Sequence, residues 1–409
     1  MLRRVGIVGR QGGAVFPSSR LAELFGAPAG GAAWGSRLTR PQADEAIAAA
    51  RDAPHAWLWH RRDLMRVGRN GSGGAPNIGN VAGFLGAVGT AGTNGRSIEA
   101  ALGPELYAGV LSSADGWTLT GGASVSGGQL TLPVGSTARR TLAAGFYEIE
   151  ITTTASAGAQ IYAGVGVLEG PARVINNQGA GTYRAIIQNT GTLFWVSVYT
   201  AAAAVTAVSV RALPGVGHFV AVSDAARATV SDGFLSPAGA QAYQTALDLS
   251  ATDKITAISS WRYTGAGTGI FCEHTASADV EPGSFFIAPR VGAALRVQVR
   301  QTTFNTYDTA SAFPLSAVCS FVADFADSVK AQELRPFLNG ALAQGTSIGL
   351  DAGSGNFANS TFNLFARNGA SVFMSGEANA LWLWPSILSD TSRRAVERAA
   401  AVVRGVTYT

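Results

Sequence analysis

The sequence predicts a mainly β protein, with an N-terminal segment carrying a short helix and then two tandem β-sandwiches. Three observations carry this. Gly supplies 51 of the 409 residues and charged residues only 14%, the composition of short strands joined by many tight turns. From residue 105 onward, apolar runs alternate with Gly, Asn, Asp and Ser clusters at intervals of about ten residues, as two-sheet sandwiches require. Strong helical patterning is confined to 39–53 and to the C-terminus. At about 150 residues per domain, the length suggests two or three units.

Residues 1–104 differ from the rest. TRPQADEAIAAARDA (39–53) predicts a helix with Thr39 as cap and Pro41 in the first turn. HAWLWHRRDLMRVGRNGSGG and the Gly-rich NIGNVAGFLGAVGTAGTNG (77–95) follow. A Gly-rich apolar tract builds no independent core easily, so packing on a partner chain is expected. The first 100 residues hold 12 Arg against 6 acidic residues, a formal +6 that leaves −2 for the remainder. No RNP, zinc-finger or helix-turn-helix signature accompanies the charge, so docking on another protein is favoured over nucleic acid. GIVGRQGG at the start has glycines at 6, 9 and 12, the wrong spacing for a dinucleotide turn. No run approaches the roughly 20 apolar residues of a membrane span, and the start lacks an apolar h-region. Synthesis in a cytoplasm without a cleaved signal, and no membrane insertion, are the expectations.

Between 105 and 213 the strands include GQLTLPV, GFYEIEITTT, QIYAGVGVLEG, TYRAIIQNTG and LFWVSVYT. Period-2 parity in LFWVSVYT places Phe194, Val196 and Val198 toward a core and Trp195, Ser197 and Tyr199 on the opposite face. That second face is a candidate sugar platform. The succession DGWTLTGGASVSGGQLTL, GFYEIEI, GTYRAII, VSVRAL resembles the carbohydrate-binding-module-like jelly rolls of phage particle proteins, a resemblance that implies a fold and no ligand.

Residues 214–409 predict a second all-β unit, with strands such as DKITAISSWRY, ALRVQVRQ, AVCSFVADF and NALWLW. In RPFLNGALAQG, the Asn339-Gly340 pair between apolar runs marks a type I′ hairpin. GEANALWLWPSILSDTSRRAVERAAAVV (376–403) reads as a strand, a corner, a helix start at Ser389/Asp390 and an Arg-rich helix. With Leu388 and Ser389 at the turn and the Asn-Gly strand upstream, this order resembles the end of concanavalin-A-like (laminin-G-like) lectin sandwiches.

Catalytic and metal chemistry find little support. His55 and His60 flank AWLW without a Cys or further His nearby, and His218 and His274 stand alone, which argues against zinc. Glu148 and Glu150 share a strand face about 7 Å apart, within reach of a glycosidase carboxylate pair, but no third carboxylate follows and a solvated edge pair is expected. There is no Gly-x-Ser-x-Gly elbow. Asp324 and Asp327 could serve calcium, but no fixed-spacing Asp/Asn loop supports it; no cofactor is expected. Cys272 and Cys319 lie in apolar runs and are expected as buried free thiols. The aromatics are the best signal: Trp261 and Tyr263 alternate on one strand, and Phe304, Asn305, Tyr307 and Asp308 are expected in a loop. Aromatic faces beside amides and carboxylates suit sugars.

The sequence thus divides into a basic attachment or oligomerisation segment (1–104), a carbohydrate-binding-module-like sandwich (105–213) and a concanavalin-A-like sandwich with a C-terminal helix (214–409). The whole resembles head spikes or tail fibres of phages and of phage-like gene transfer agents. That resemblance implies a non-enzymatic, homo-oligomeric adhesin on the surface of an assembled particle, held by other particle proteins and binding host capsular polysaccharide. The alternatives are a capsule-degrading depolymerase and a purely structural decoration protein.

Overall fold

The computed structural model describes residues 16–59, 65–67, 81–84, 103–107, 111–169, 173–213, 219–221, 228–231, 234–275, 280–343, 345–349 and 352–409. The Gly-rich start, His60, His218 and most of 60–102 lie outside these residues. The chain is mainly β, with two sandwiches and a helical layer.

The smaller sandwich pairs two five-stranded antiparallel sheets. One runs in the order Gly181–Asn189, Gly145–Ala155, Ala203–Ala212, Gln129–Leu132, Ser124–Ser126. The other runs Arg173–Gln178, Ile161–Gly166, Leu193–Val198, Thr137–Thr141, Trp117–Thr120. Alternate residues of both meet in one core containing Leu130, Ile149, Ile151, Ile161, Phe194, Val196 and Val198, as strand periodicity dictates.

The larger sandwich faces an eight-stranded sheet with a ten-stranded one. The first follows the order Thr229–Ser231, Phe234–Ser236, Gly376–Trp384, Lys254–Tyr263, Leu315–Asp324, Leu334–Leu338, Ala341–Leu342, and His55–Leu58 also pairs with Gly376–Trp384. The second follows Met65–Val67, Val81–Phe84, Phe219–Ala221, Tyr243–Asp248, Asn359–Leu364, Cys272–His274, Ser284–Val291, Ala294–Arg300, Phe304–Ala310, Thr346–Gly349. Their shared core holds Trp261, Phe271, Phe285, Val297, Phe321 and Phe362. Cys272 and Cys319 are buried there as free thiols, and burial pushes the Cys319 thiol up to about 12.

The described residues of the N-terminal segment are built into this larger sandwich. His55–Leu58 pairs antiparallel with the last strand, His55 opposite Leu383 and Leu58 opposite Ala380. Strand alternation then sends Trp57 into the inter-sheet core, where Trp59 also lies, and Ala56 and Leu58 to the other face. On that face the helices Ser18–Phe25, Arg40–Arg51 and Asp390–Arg404 form a third layer over Ile258, Val318 and Trp382. The jelly roll is therefore inserted between two stretches of one larger unit.

Local signals explain the helix ends. Thr39 and Gln42 form a capping box, the Gln42 N–H donating to Thr39 Oγ1 at 3.4 Å and the Thr39 N–H to Gln42 Oε1 at 2.9 Å. The last helix starts at Ser389, whose Oγ accepts from the Ser392 N–H at 3.1 Å, and ends on left-handed Gly405. Asn339 and Gly340 both have positive φ, 51° and 93°, as a type I′ turn demands. Asn339 also binds outside its turn: its Oδ1 accepts from the Val318 N–H at 2.9 Å and its carbonyl from Thr409 N–H at 2.9 Å.

Candidate functional site

The outer face of the ten-stranded sheet carries a depression whose floor holds largely buried polar side chains, Gln298 at 7% and Thr306 at 1% exposure. In Ser284–Val291 and Ala294–Arg300, Phe285, Ile287, Leu295, Val297 and Val299 point into the core. Their neighbours Phe286, Arg296, Gln298 and Arg300 therefore project from the opposite face, and they line a depression of about 390 Å³ together with Phe304, Thr306 and Arg367. Thr268 and Ile270 from one loop, and Arg367 and Val372 from the hairpin after Asn359–Leu364, complete its walls. Positive φ at Phe365, Asn368 and Val372 folds that hairpin tightly.

Strand register makes the arrangement more than a dent. Gln244 pairs with Asn363, Asn363 with Glu273, Glu273 with Phe286, Phe286 with Gln298 and Gln298 with Thr306. Directly paired residues share a sheet face, so these six form one row, about 24 Å long at about 4.8 Å per strand. Gln244 Nε2 donates to Asn363 Oδ1 at 2.7 Å, and Thr306 Oγ1 donates to Gln298 Oε1 at 2.9 Å. Gln244, Asn363 and Asn368 line a second, smaller depression of about 100 Å³. Arg367 borders the larger depression and its chain neighbour Asn368 the smaller one.

Carboxylates fix two of the pocket's arginines. Asp308 holds Arg296 in a fork, Nε to Oδ1 and Nη2 to Oδ2 both at 2.7 Å. Glu273, fully buried, lies 3.4 Å from Arg367 Nε and accepts the Asn368 N–H at 3.0 Å. The Arg367 guanidinium also lies 5.6 Å from the Phe286 ring centre. Arg300 differs in that no described carboxylate pairs with it; its Nε is buried with no hydrogen-bond partner.

The sequence-derived candidates scatter. Phe304 is 39% exposed and lines the large depression, and Asp308 orients Arg296 beside it. Both lie on the strand Phe304–Ala310, not in a loop, because FNTYD completes a hairpin with Ala294–Arg300. Asn305 and Tyr307 fall on the inner side of that strand. Asn305 is fully buried, donating through Nδ2 to Glu333 Oε2 at 2.7 Å, and Tyr307 packs on the core. Trp261 and Tyr263 are core residues at 0% and 1% exposure, Trp261 Nε1 donating to Ser259 Oγ and the Tyr263 hydroxyl to the Gly267 carbonyl. Trp195 and Ser197 point away from the jelly-roll core yet are themselves buried, at 0% and 1%, so neither offers a sugar a face. Tyr199 is exposed, edge-on to Tyr162 at 5.3 Å, with Arg173 over the Tyr162 ring.

The remaining carboxylates have local work. Glu148 and Glu150 lie on a central strand between Gly181–Asn189 and Ala203–Ala212, not at an edge, and Arg184 bridges to both. Asp324 pairs with Lys254 Nζ at 2.7 Å, while Asp327 Oδ1 accepts the Val329 N–H at 2.8 Å. Among the described residues, no three His, Cys, Asp or Glu side chains cluster as metal ligands would.

The residues that line the depression and were missed in the sequence had a signal: RVQVR, 296–300, alternates polar and apolar strictly. Its polar face carries two arginines around a glutamine.

No protein family and no curated protein matches the chain. Among solved structures, similarity extends to the CBM40 of a Ruminococcus gnavus IT-sialidase, at 16% identity over 42% of this chain and 96% of that one, TM-score 0.30. A heptameric SAP-like pentraxin from Limulus polyphemus is matched at 12% identity over 41% of this chain and 80% of that one, TM-score 0.30. A leech intramolecular trans-sialidase is matched at 18% identity over 41% of this chain and 27% of that one, TM-score 0.30. At such scores the architecture rests on the strand topology itself.

Proposed function

We propose that the protein is a non-catalytic adhesin, a head spike or tail fibre of a phage-like particle, that binds host surface polysaccharide along the outer face of its ten-stranded sheet. The observation that carries the binding assignment is the cross-strand row. It sets Gln298 and Thr306, hydrogen-bonded to each other and largely buried, in the floor beside the exposed Phe304 ring, with arginines at the margin. Apolar ring faces suit the C–H surfaces of sugars, and fixed amides and guanidinium groups suit their hydroxyls.

Non-catalytic binding is favoured by how the groove carboxylates are used. Asp308 and Glu273 are each occupied by an arginine, whereas a glycosidase needs one carboxyl protonated at the leaving group and a second facing the sugar. The particle assignment rests on the resemblance of the two-sandwich order to phage and gene-transfer-agent spikes. Several copies on one particle would multiply a weak site by avidity.

Co-sedimentation tests the assignment. Protein expressed with its particle is expected in the particle fraction, and particles carrying the variant Phe304→Ala with Gln298→Ala are expected to assemble but adhere poorly to cells. Normal adhesion by that variant refutes the proposed face. Protein absent from particles refutes the spike assignment.

A further inference from the structure

The depression beside Phe286 and Phe304 holds more positive charge than a neutral sugar needs. Arg296, Arg300 and Arg367 line it, and among the described residues no Asp or Glu does. Asp308 and Glu273 approach the arginines, one on Arg296 and one on Arg367. Three guanidinium groups against these two carboxylates leave one formal positive charge, and the geometry assigns it to Arg300. On that residue Nε is shut away from water with no partner, and no described side chain forms an ion pair with its guanidinium. That Nε is closed to a ligand as it is to water, so a ligand anion would meet the charge through the outer Nη groups, the part of Arg300 open to the depression.

Resting on the glycan reading above, we propose that this depression selects a sugar bearing a carboxylate, with the outer nitrogens of Arg300 receiving the carboxylate and the ring lying against the exposed Phe304. Three observations converge. A guanidinium presents a planar pair of donors matched to a carboxylate's two oxygens. Arg300 and Phe304 are directly paired across the hairpin, so the anion site and the exposed ring stand side by side on one face. Gln298, two residues from Arg300, and Thr306, two residues from Phe304, complete the floor with a hydrogen-bonded amide and hydroxyl. Arg296 is already committed to Asp308 by a fork, which makes it a rigid wall more than an anion receptor.

The class of ligand is therefore an acidic glycan with uronic or nonulosonic acid units. A sulfate or phosphate ester could also reach a guanidinium, and the experiment separates these sources. The intact chain is titrated calorimetrically with oligogalacturonate, its carboxyl-reduced counterpart, sialyllactose, lactose, a sulfated heparin oligosaccharide and a neutral dextran. The expected result is binding to one or both carboxylated sugars, weakened tenfold or more by carboxyl reduction or by loss of the sialyl unit. Arg300→Gln is expected to weaken that binding tenfold or more, and Arg300→Lys to weaken it less. The carboxyl-reduction arm needs no variant, so an unstable Arg300→Gln protein leaves the test intact. Equal binding of acidic and reduced forms overturns this inference while the glycan reading stands. Binding confined to the sulfated oligosaccharide overturns the carboxylate assignment. Binding to no sugar in the panel overturns both.

Discussion

Gly340 shows how a single residue can serve the turn and the packing beyond it. Its φ of 93° favours glycine, and a Cβ there would stand 2.5 Å from the Tyr408 ring and 2.6 Å from the Thr409 carbonyl oxygen. Gly340→Ala is expected to lower stability by about 1–3 kcal/mol from backbone strain alone, read as a lower urea midpoint at unchanged slope. The Asn-Gly pair was legible because positive φ is a local demand, whereas its contact with the chain end, 68 residues on, was not. A second residue-scale effect concerns pH. Burial, with His274 nearby, lowers His55 from its ordinary value of 6.5 to about 4. The unfolded chain therefore takes up a proton between about pH 6.5 and 4 that the folded chain refuses. Stability is full above pH 6.5 and falls as pH drops toward 4, by up to about 3 kcal/mol for this residue. His274, also lowered by burial, acts in the same direction. His55→Gln should remove about one proton's worth of the slope in denaturation midpoints measured across that range; an unchanged slope contradicts the assignment.

At the scale of elements, sequence reading succeeded where one element carries its own signal. Thr39, Ser389 and the Asn-Gly turn mark boundaries through local hydrogen bonds and backbone angles, and each stands where expected. It failed where a strand's second face is covered. Trp195 and Ser197 alternate correctly against Phe194 and Val196, but parity says only that two faces differ, not that either is wet. FNTYD failed for the opposite reason: Thr, Asn and Asp look like loop residues, yet pairing with Ala294–Arg300 makes a strand whose odd and even positions have different fates. His55–Leu58 is the sharpest case, because its partner lies more than 300 residues away. Trp57 contacts Phe219 and Phe362 at ring-centre distances of 5.2 and 5.4 Å. Trp57→Ala is expected to cost about 3–5 kcal/mol and to lower the unfolding temperature. An unchanged temperature would show that this strand contributes little to the larger core.

The whole molecule is a large three-layer unit with a smaller sandwich inserted into it. The helices cover one side of the eight-stranded sheet, to which the His55–Leu58 strand belongs. The outer face of the ten-stranded sheet, across the shared core, carries the glycan groove in our account. The sequence showed two sandwiches and the strand-to-helix ending, but the groove emerges only when six strands from distant parts of the chain align their side chains in register. The central claim is that this surface holds a polysaccharide without cutting it. The most direct measurement incubates the intact protein with purified host capsular polysaccharide and records both bound mass and polysaccharide chain length over time. Saturable binding, abolished by Phe304→Ala with Gln298→Ala, and an unchanged chain length are expected. Progressive shortening, or no binding, would contradict the claim.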